Sequence, residues 1–279
     1  MEEVTEHRIE AAGVTLSADE AGDGHVVVLL HGLTATRRYV VMGSRGLQRS
    51  GHRVIAYDAR GHGRSSPAPE PRAYGYEHLT SDLESVLDEL GADRALLVGA
   101  SMGAHTAVRL ALEEPERVAG LVLITPAYDP STFDDPSSLA RWDSLSEGLR
   151  EGGVEGFVAA YGTRELPEPW RDTLVAVIRQ RLSAHEHPDA VADALHFVPR
   201  SRPFEQLHEL GAIEVPSVVV GSRDEPDPGH PLAVAEAYAR ALPEADLVVE
   251  EPGASPLAWQ GGRLSRLVEE LAAKAYART

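Results

Sequence analysis

Residues 94–105, Arg-Ala-Leu-Leu-Val-Gly-Ala-Ser-Met-Gly-Ala-His, constrain the fold more than any other stretch of this chain. Residues 95–98 form a short continuous apolar run, the pattern of a strand buried on both faces. A helical run starts at Met102 and reaches about Glu114, where Pro115 closes it. Between them stands Gly99-Ala100-Ser101-Met102-Gly103. Glycines two before and two after the serine have a mechanical explanation. The turn is so tight that a side chain at either position would collide with neighbouring backbone. The same turn lifts the Ser101 hydroxyl into the open at the carboxyl end of the sheet, beside the positive end of the following helix.

The rest of the chain repeats this strand-then-helix rhythm. Residues 8–20 alternate weakly and end at Ala21-Gly22-Asp23-Gly24, which predicts a strand or hairpin entering the sheet. Strands are expected at 25–30, 53–57, 120–124, 216–220 and 246–249. Helices are expected at 37–49, 76–90, 232–242 and 263–275. From Pro130 to about Pro203 only helical patterns occur, at 137–150, 154–161, 170–183 and 188–197. This predicts a mostly parallel, doubly wound sheet in two parts, 1–129 and 206–279, interrupted by a helical cap or lid at 130–205. Trp142, Phe157, Tyr161, Trp170, Ile178 and Phe197 supply apolar surface that would either line a pocket under the cap or form the cap's own core. Arg141 and Arg171 are candidate anchors for a carboxylate.

Composition narrows the partners. A formal charge of −18 argues against nucleic acid and anionic membrane surfaces. No segment approaches the ~20 consecutive apolar residues of a membrane span. The acidic start Met1-Glu2-Glu3 leads into no apolar run, so a secretory signal is not expected. With no cysteine, disulfides, thiolate metal sites and cysteine catalysis drop out, and a cytoplasmic location is expected. A small-molecule substrate is the expected partner, and a homodimer stays open.

In an open α/β sheet the site lies beyond the carboxyl ends of the strands. The loops there hold His31-Gly32-Leu33, the run Asp58-Ala59-Arg60-Gly61-His62-Gly63-Arg64-Ser65, Ser101 and Gly221-Ser222-Arg223-Asp224. In this order, with a helical insertion before the last, these motifs resemble the α/β-hydrolase fold family over residues 8–271. The resemblance implies an eight-stranded-type sheet and Ser101 as nucleophile. It also implies the backbone N–H groups of Leu33 and Met102 as oxyanion hole, with His31, Gly32, Gly99 and Gly103 in support. It makes Asp224 the acid, with Asp227 and Glu225 as neighbours on the same loop. No cofactor or metal is implied. The family spans esterases, lactonases, peptidases, lyases and inactive members, so the fold leaves the substrate open. A serine at this turn argues against haloalkane dehalogenase and epoxide hydrolase chemistry, where the family carries aspartate.

One position departs from the family. Its histidine normally follows the last strand as Gly-His, and the corresponding run here is Pro252-Gly253-Ala254-Ser255-Pro256. Proline has no titratable group, and no histidine follows His230. Three readings stay open. Another histidine supplies the base: His230, six residues past Asp224, or else His62, His31 or the cap residues His185, His187 and His196. Alternatively the site works without a base. Or the pocket serves a non-hydrolytic purpose, as a lyase, isomerase or binding protein. His31, His62 and His230 do not show tetrahedral metal-ligand spacing. His105, one helical turn after Ser101, is expected to pack against the helix face.

Overall fold

The computed structural model describes residues 4–162, 168–225, 227 and 229–277. Met1 to Glu3 and Pro228, quoted in the motifs above or beside them, lie outside these.

A hairpin, β1 (Thr5–Ala11) and β2 (Val14–Ala21), leads into β3 (Val26–Leu30), α1 (Gly46–Arg49) and β4 (Arg53–Tyr57). Then come α2 (Tyr76–Glu89), β5 (Ala95–Ala100), α3 (Met102–Glu113) and β6 (Val118–Ile124). Three helices follow, α4 (Pro136–Ala160), α5 (Glu168–Leu182) and α6 (Pro188–Phe197). The chain closes with β7 (Ser217–Val220), α7 (Leu232–Ala241), β8 (Ala245–Val248) and α8 (Gly261–Tyr276). The eight strands form one sheet in the order β1-β2-β4-β3-β5-β6-β7-β8. Pairing is antiparallel at β1–β2 and β2–β4 and parallel elsewhere.

Side chains alternate across β5 and β6 because a strand points successive residues to opposite faces. Leu97, Leu121 and Leu123 pack under α2, α3 and α7, with Leu83, Val86, Val108 and Tyr238. Leu96, Val98, Val122 and Ile124 pack on the other face against α1 and α8, with Leu47, Leu264 and Val268. Burying each such side chain contributes roughly 1.5–3 kcal/mol, and both layers hold the sheet that carries the loops. Register aligns the loops: Leu30 pairs Gly99, Ala100 pairs Ile124, Ile124 pairs Val220, and Val220 pairs Val248. The carboxyl ends of β3 and β5–β8 therefore form one row.

One expectation is corrected. The helix expected over 37–49 is a single 3-10 turn, Arg37–Tyr39, followed by the short α1. Met42 (φ 48°) and Gly43 (φ 69°) adopt left-handed backbone there, which no continuous right-handed helix accommodates. The two helices expected over 137–161 are the two arms of α4, separated by a break at Gly153, whose backbone is non-helical (φ 58°, ψ −147°). Phe157 is buried with Leu145, Leu149, Leu182, Val191 and Leu195, while Trp142, Tyr161, Ile178 and Phe197 pack partly buried around them. These aromatics make the insertion's own core, and Leu33 and Met102 join that core from below.

Candidate functional site

Ser101 sits between β5 and α3 with φ 48° and ψ −111°, a conformation disfavoured for any residue with a side chain. The glycines impose it. A β-carbon on Gly99 would stand 2.3 Å from the Gly103 carbonyl carbon, and one on Gly103 would stand 2.3 Å from the Leu30 oxygen. Ser101 N–H donates to Ile124 O at 2.9 Å, tying the turn to β6. Gly32 lies alongside, where an added β-carbon would stand 3.5 Å from Ser101 Cβ. The loop after β3 thus abuts the serine, with the Leu33 and Met102 side chains turned into the insertion's core.

Histidines shape this loop from behind. His31 Nδ1 meets Gly32 O at 2.8 Å, and His31 Nε2 accepts from Ala59 N at 2.9 Å. His62 Nε2 meets Leu33 O at 2.7 Å and its Nδ1 meets Arg60 O at 2.9 Å. Burial holds both rings below the ordinary histidine range, their own neighbours adding to it for His31 and the two carbonyls opposing it for His62. The loop after β4 is itself braced. Arg60 and Asp82, both buried, pair through two 2.7 Å hydrogen bonds. Asp58 receives Arg37 N at 2.8 Å and Arg64 N at 3.1 Å and pairs with the Arg37 guanidinium.

The loop after β7 separates its two aspartates. Asp224 is exposed, and its carboxylate accepts from Leu232 N at 2.7 Å at the start of α7. Asp227, by contrast, lies 2.8 Å from His230 Nδ1. The structure thus brings His230 together with Asp227 and not with Asp224, although all three share one loop. Burial pulls the His230 imidazole down, but the charge of Asp227 and its hydrogen bond outweigh that and raise it above the ordinary value, with Arg181 opposing. His230 is near enough to α3 to act on His105, which burial first and then His230 push down to about 3. His105 is fully engaged: Nδ1 meets Tyr76 Oη at 2.8 Å, and Nε2 accepts from Ala127 N at 3.0 Å and Tyr128 N at 3.1 Å. It is the packed helix-face histidine expected. Among the described residues the Ser101 hydroxyl makes no hydrogen bond to any histidine.

Two residues here carried no signal in the sequence. Glu250 is buried, and its carboxylate receives Arg223 N at 2.7 Å, Leu257 N at 3.2 Å and Ser222 Oγ at 3.3 Å. It ties the aspartate loop to the segment in which Pro256 lies buried. Arg181, near the end of α5, lies 5.5 Å over the Tyr39 ring, and its Nε is buried without a hydrogen-bond partner among the described residues. Burial lowers its pKa, against the charges of Asp227, Tyr39 and Tyr161. Only its proximity to a loop distant in sequence marks it. Among the described residues no three His, Asp or Glu side chains converge to hold a metal ion, and none of the described helices is long and apolar enough to cross a membrane.

A sequence profile described as alpha/beta hydrolase fold matches residues 25–261. A provisionally named carbamate hydrolase, RutD, from Pseudomonas syringae pv. syringae is 30% identical over 241 residues, 85% of this chain and 88% of that one. A 2-hydroxy-6-oxononadienedioate/2-hydroxy-6-oxononatrienedioate hydrolase from Klebsiella pneumoniae is 29% identical over 228 residues, 78% of this chain and 77% of that one. Among solved structures, a thermophilic esterase from Thermogutta terrifontis superposes with a TM-score of 0.77 at 26% identity, covering 98% of this chain and 99% of that one.

Proposed function

Because the chain belongs to the α/β-hydrolase fold family, we propose that it hydrolyses a small ester or related acyl compound through an acyl-enzyme on Ser101. The observation that carries this is the Ser101 backbone, φ 48° and ψ −111°, wedged between glycines. Such a conformation costs on the order of 1–3 kcal/mol and persists where a function uses it.

In this reading Ser101 Oγ adds to the substrate carbonyl carbon while its proton passes to His230 Nε2. The carbonyl π pair moves onto oxygen, which the Leu33 and Met102 N–H groups receive. Collapse expels the leaving group with the proton from His230, and water repeats the sequence on the acyl-serine. Asp227 accepts from His230 Nδ1–H, which leaves Nε2 as the basic nitrogen. Asp224, the acid expected from the family pattern, instead holds the start of α7. His31, Gly32, Gly99 and Gly103 fix the geometry around the reacting carbonyl.

The Arg181 guanidinium, whose Nε has no hydrogen-bond partner among the described residues, supports a substrate with an anionic end, and the relatives' names include one dicarboxylate. The Ser101 hydroxyl, without a histidine partner among the described residues, and Pro256 in the usual base position favour a second reading: a family member that binds or rearranges a small molecule. Short-chain p-nitrophenyl esters, neutral and carboxylate-bearing, separate the two readings between pH 5 and 9. Steady turnover lost in Ser101→Ala and His230→Ala supports hydrolysis. A faster reaction with the carboxylate ester, lost in Arg181→Gln, supports the anionic substrate. A single stoichiometric burst, or none, unchanged in His230→Ala, supports the second reading.

A further inference from the structure

Three consecutive carbonyls in the loop after β3 each meet a different histidine. Gly32 O faces His31 Nδ1 at 2.8 Å, Leu33 O faces His62 Nε2 at 2.7 Å, and Thr34 O faces His185 Nε2 at 3.2 Å. The rings touch in series, with centroids 5.1 Å apart for His31–His62 and 5.5 Å for His62–His185. Two of these histidines belong to the loops of the sheet. The third comes from the helical insertion, just after α5. His185 Nδ1 also accepts from Gly63 N at 2.9 Å, and the adjoining Glu186 N–H donates to Gly63 O at 2.9 Å. Residues 185 and 186 therefore pair with Gly63 from both sides.

A peptide group is planar and trans, so holding its carbonyl aims its N–H in the opposite direction. Anchoring Gly32 O fixes the Leu33 N–H, and anchoring Leu33 O and Thr34 O fixes the next two planes. We propose that His185 is a positioning residue, a latch through which the helical insertion holds the oxyanion loop in its working shape, so that closure of the insertion and alignment of the Leu33 N–H are one event. Its catalytic consequence rests on the Ser101 reading; the latch itself does not.

The latch is sensitive to acid. His185 Nδ1 and His31 Nε2 are both acceptors, from Gly63 N and Ala59 N. A proton on either would set donor against donor. Burial first, then the neighbouring His62, push His185 down to about 3, with the Thr34 carbonyl opposing. A closed-state value below the ordinary one means that closure is fully favoured above about pH 6.5 and is lost as pH falls toward 3, roughly tenfold per pH unit for each such histidine. The charged groups around the latch are Glu186, His187 and Arg181 on its own segment, Asp58, Arg60, His62 and Arg64 after β4, and His31 and Arg37 after β3. Asp58 is committed to Arg37 and Arg60 to Asp82. Arg64 lies 3.8 Å from Glu186, and among the described residues no carboxylate pairs with His185, whose partners are backbone groups.

The insertion carries its own reporter. Trp170 at the start of α5 meets Trp259 edge to face, with centroids 5.9 Å apart. The exciton couplet of this pair, followed from pH 7.5 to 3.5 beside the far-UV helix signal, reads opening separately from unfolding. The couplet is expected to disappear before the far-UV signal in wild type and, identically, in Ser101→Ala. His185→Asn keeps an acceptor for Gly63 N–H but cannot titrate. It should open at lower pH, with about one proton fewer in the slope, and should lower kcat rather than raise KM. His185→Ala should enlarge the open population at least tenfold at pH 7.5. Coincident loss of couplet and far-UV signal in wild type, or a His185→Asn curve that superimposes on wild type, would overturn the latch. Absence of ester turnover with the couplet behaving as expected would overturn the hydrolase reading and leave the latch standing.

Discussion

His230 lies part-buried against a carboxylate, whereas His31, His62 and His185 lie against carbonyls, N–H groups and one another. The side chain is the same, and its proton affinity moves in opposite directions. Asp227 outweighs burial and raises His230; burial dominates the other three and lowers them. Their contributions to stability therefore run oppositely with pH. The raised His230 stabilises fully below about pH 6.5 and loses that contribution as pH rises through its folded value. The depressed three stabilise fully above about pH 6.5 and lose it as pH falls toward their folded values. A ring that a carboxylate helps to hold its proton can carry one between substrate and leaving group. A ring whose burial disfavours the proton is suited to holding backbone in place.

The sharpest break in this comparison is His230→Ala. It should lower kcat/KM for an activated ester by about 10⁴-fold, the scale for losing the base of a serine triad. A variant that retains turnover would move the base elsewhere. The two aspartates sharpen the same contrast. Asp227→Asn offers His230 an amide in place of a charge and should cost about 10² to 10⁴-fold in kcat. Asp224→Asn can still accept from Leu232 N–H, and its loss should stay below about fivefold, worth under 1 kcal/mol. If Asp224→Asn is the more damaging, the family pattern holds over the observed pairing.

That pair of aspartates also marks where the sequence stops being legible. The turn at Ser101 could be read directly because its causes are local: an apolar run, two glycines and a helix within twelve residues. The sheet was legible for the same reason, since β-branched runs and helical spacing recur strand by strand. The choice between Asp224 and Asp227 was not, because both follow β7 and only side-chain direction separates them. Residues 37–49 carried helical spacing but held Gly43 next to Met42, whose left-handed backbone is set by tertiary packing. The role of Glu250 and the loop that His185 meets were hidden for a third reason. Their partners stand 27 and 122 positions away, and nothing in a lone glutamate or histidine announces which loop it will meet.

On the locked side of the comparison, His31→Ala should cost about 2–3 kcal/mol in urea unfolding at pH 7.5, because it empties a buried volume and orphans the Ala59 N–H. The difference from wild type should shrink toward pH 4.5, where the wild-type ring increasingly costs stability by staying neutral when buried. His230→Ala should show the opposite trend, losing more at pH 5 than at pH 8. Parallel pH trends in the two variants would collapse the distinction between them.

The smallest effect tests whether His230 is tuned as well as held. Arg181 lowers the proton affinity of His230, while Asp227 raises it. Removing the cation in Arg181→Gln should therefore let His230 hold its proton more firmly and move the acid limb of kcat/KM, measured with a neutral ester, upward by about 0.3–0.7 pH unit. The sign is the diagnostic part, because a base must be unprotonated to act and a tighter proton needs a higher pH to leave. The neutral ester removes any direct attraction between guanidinium and substrate, so only the electrostatic effect on the base remains. A limb that moves downward, or one that follows the depressed range of His185, would place the titrating group in the locked stack instead of beside Asp227.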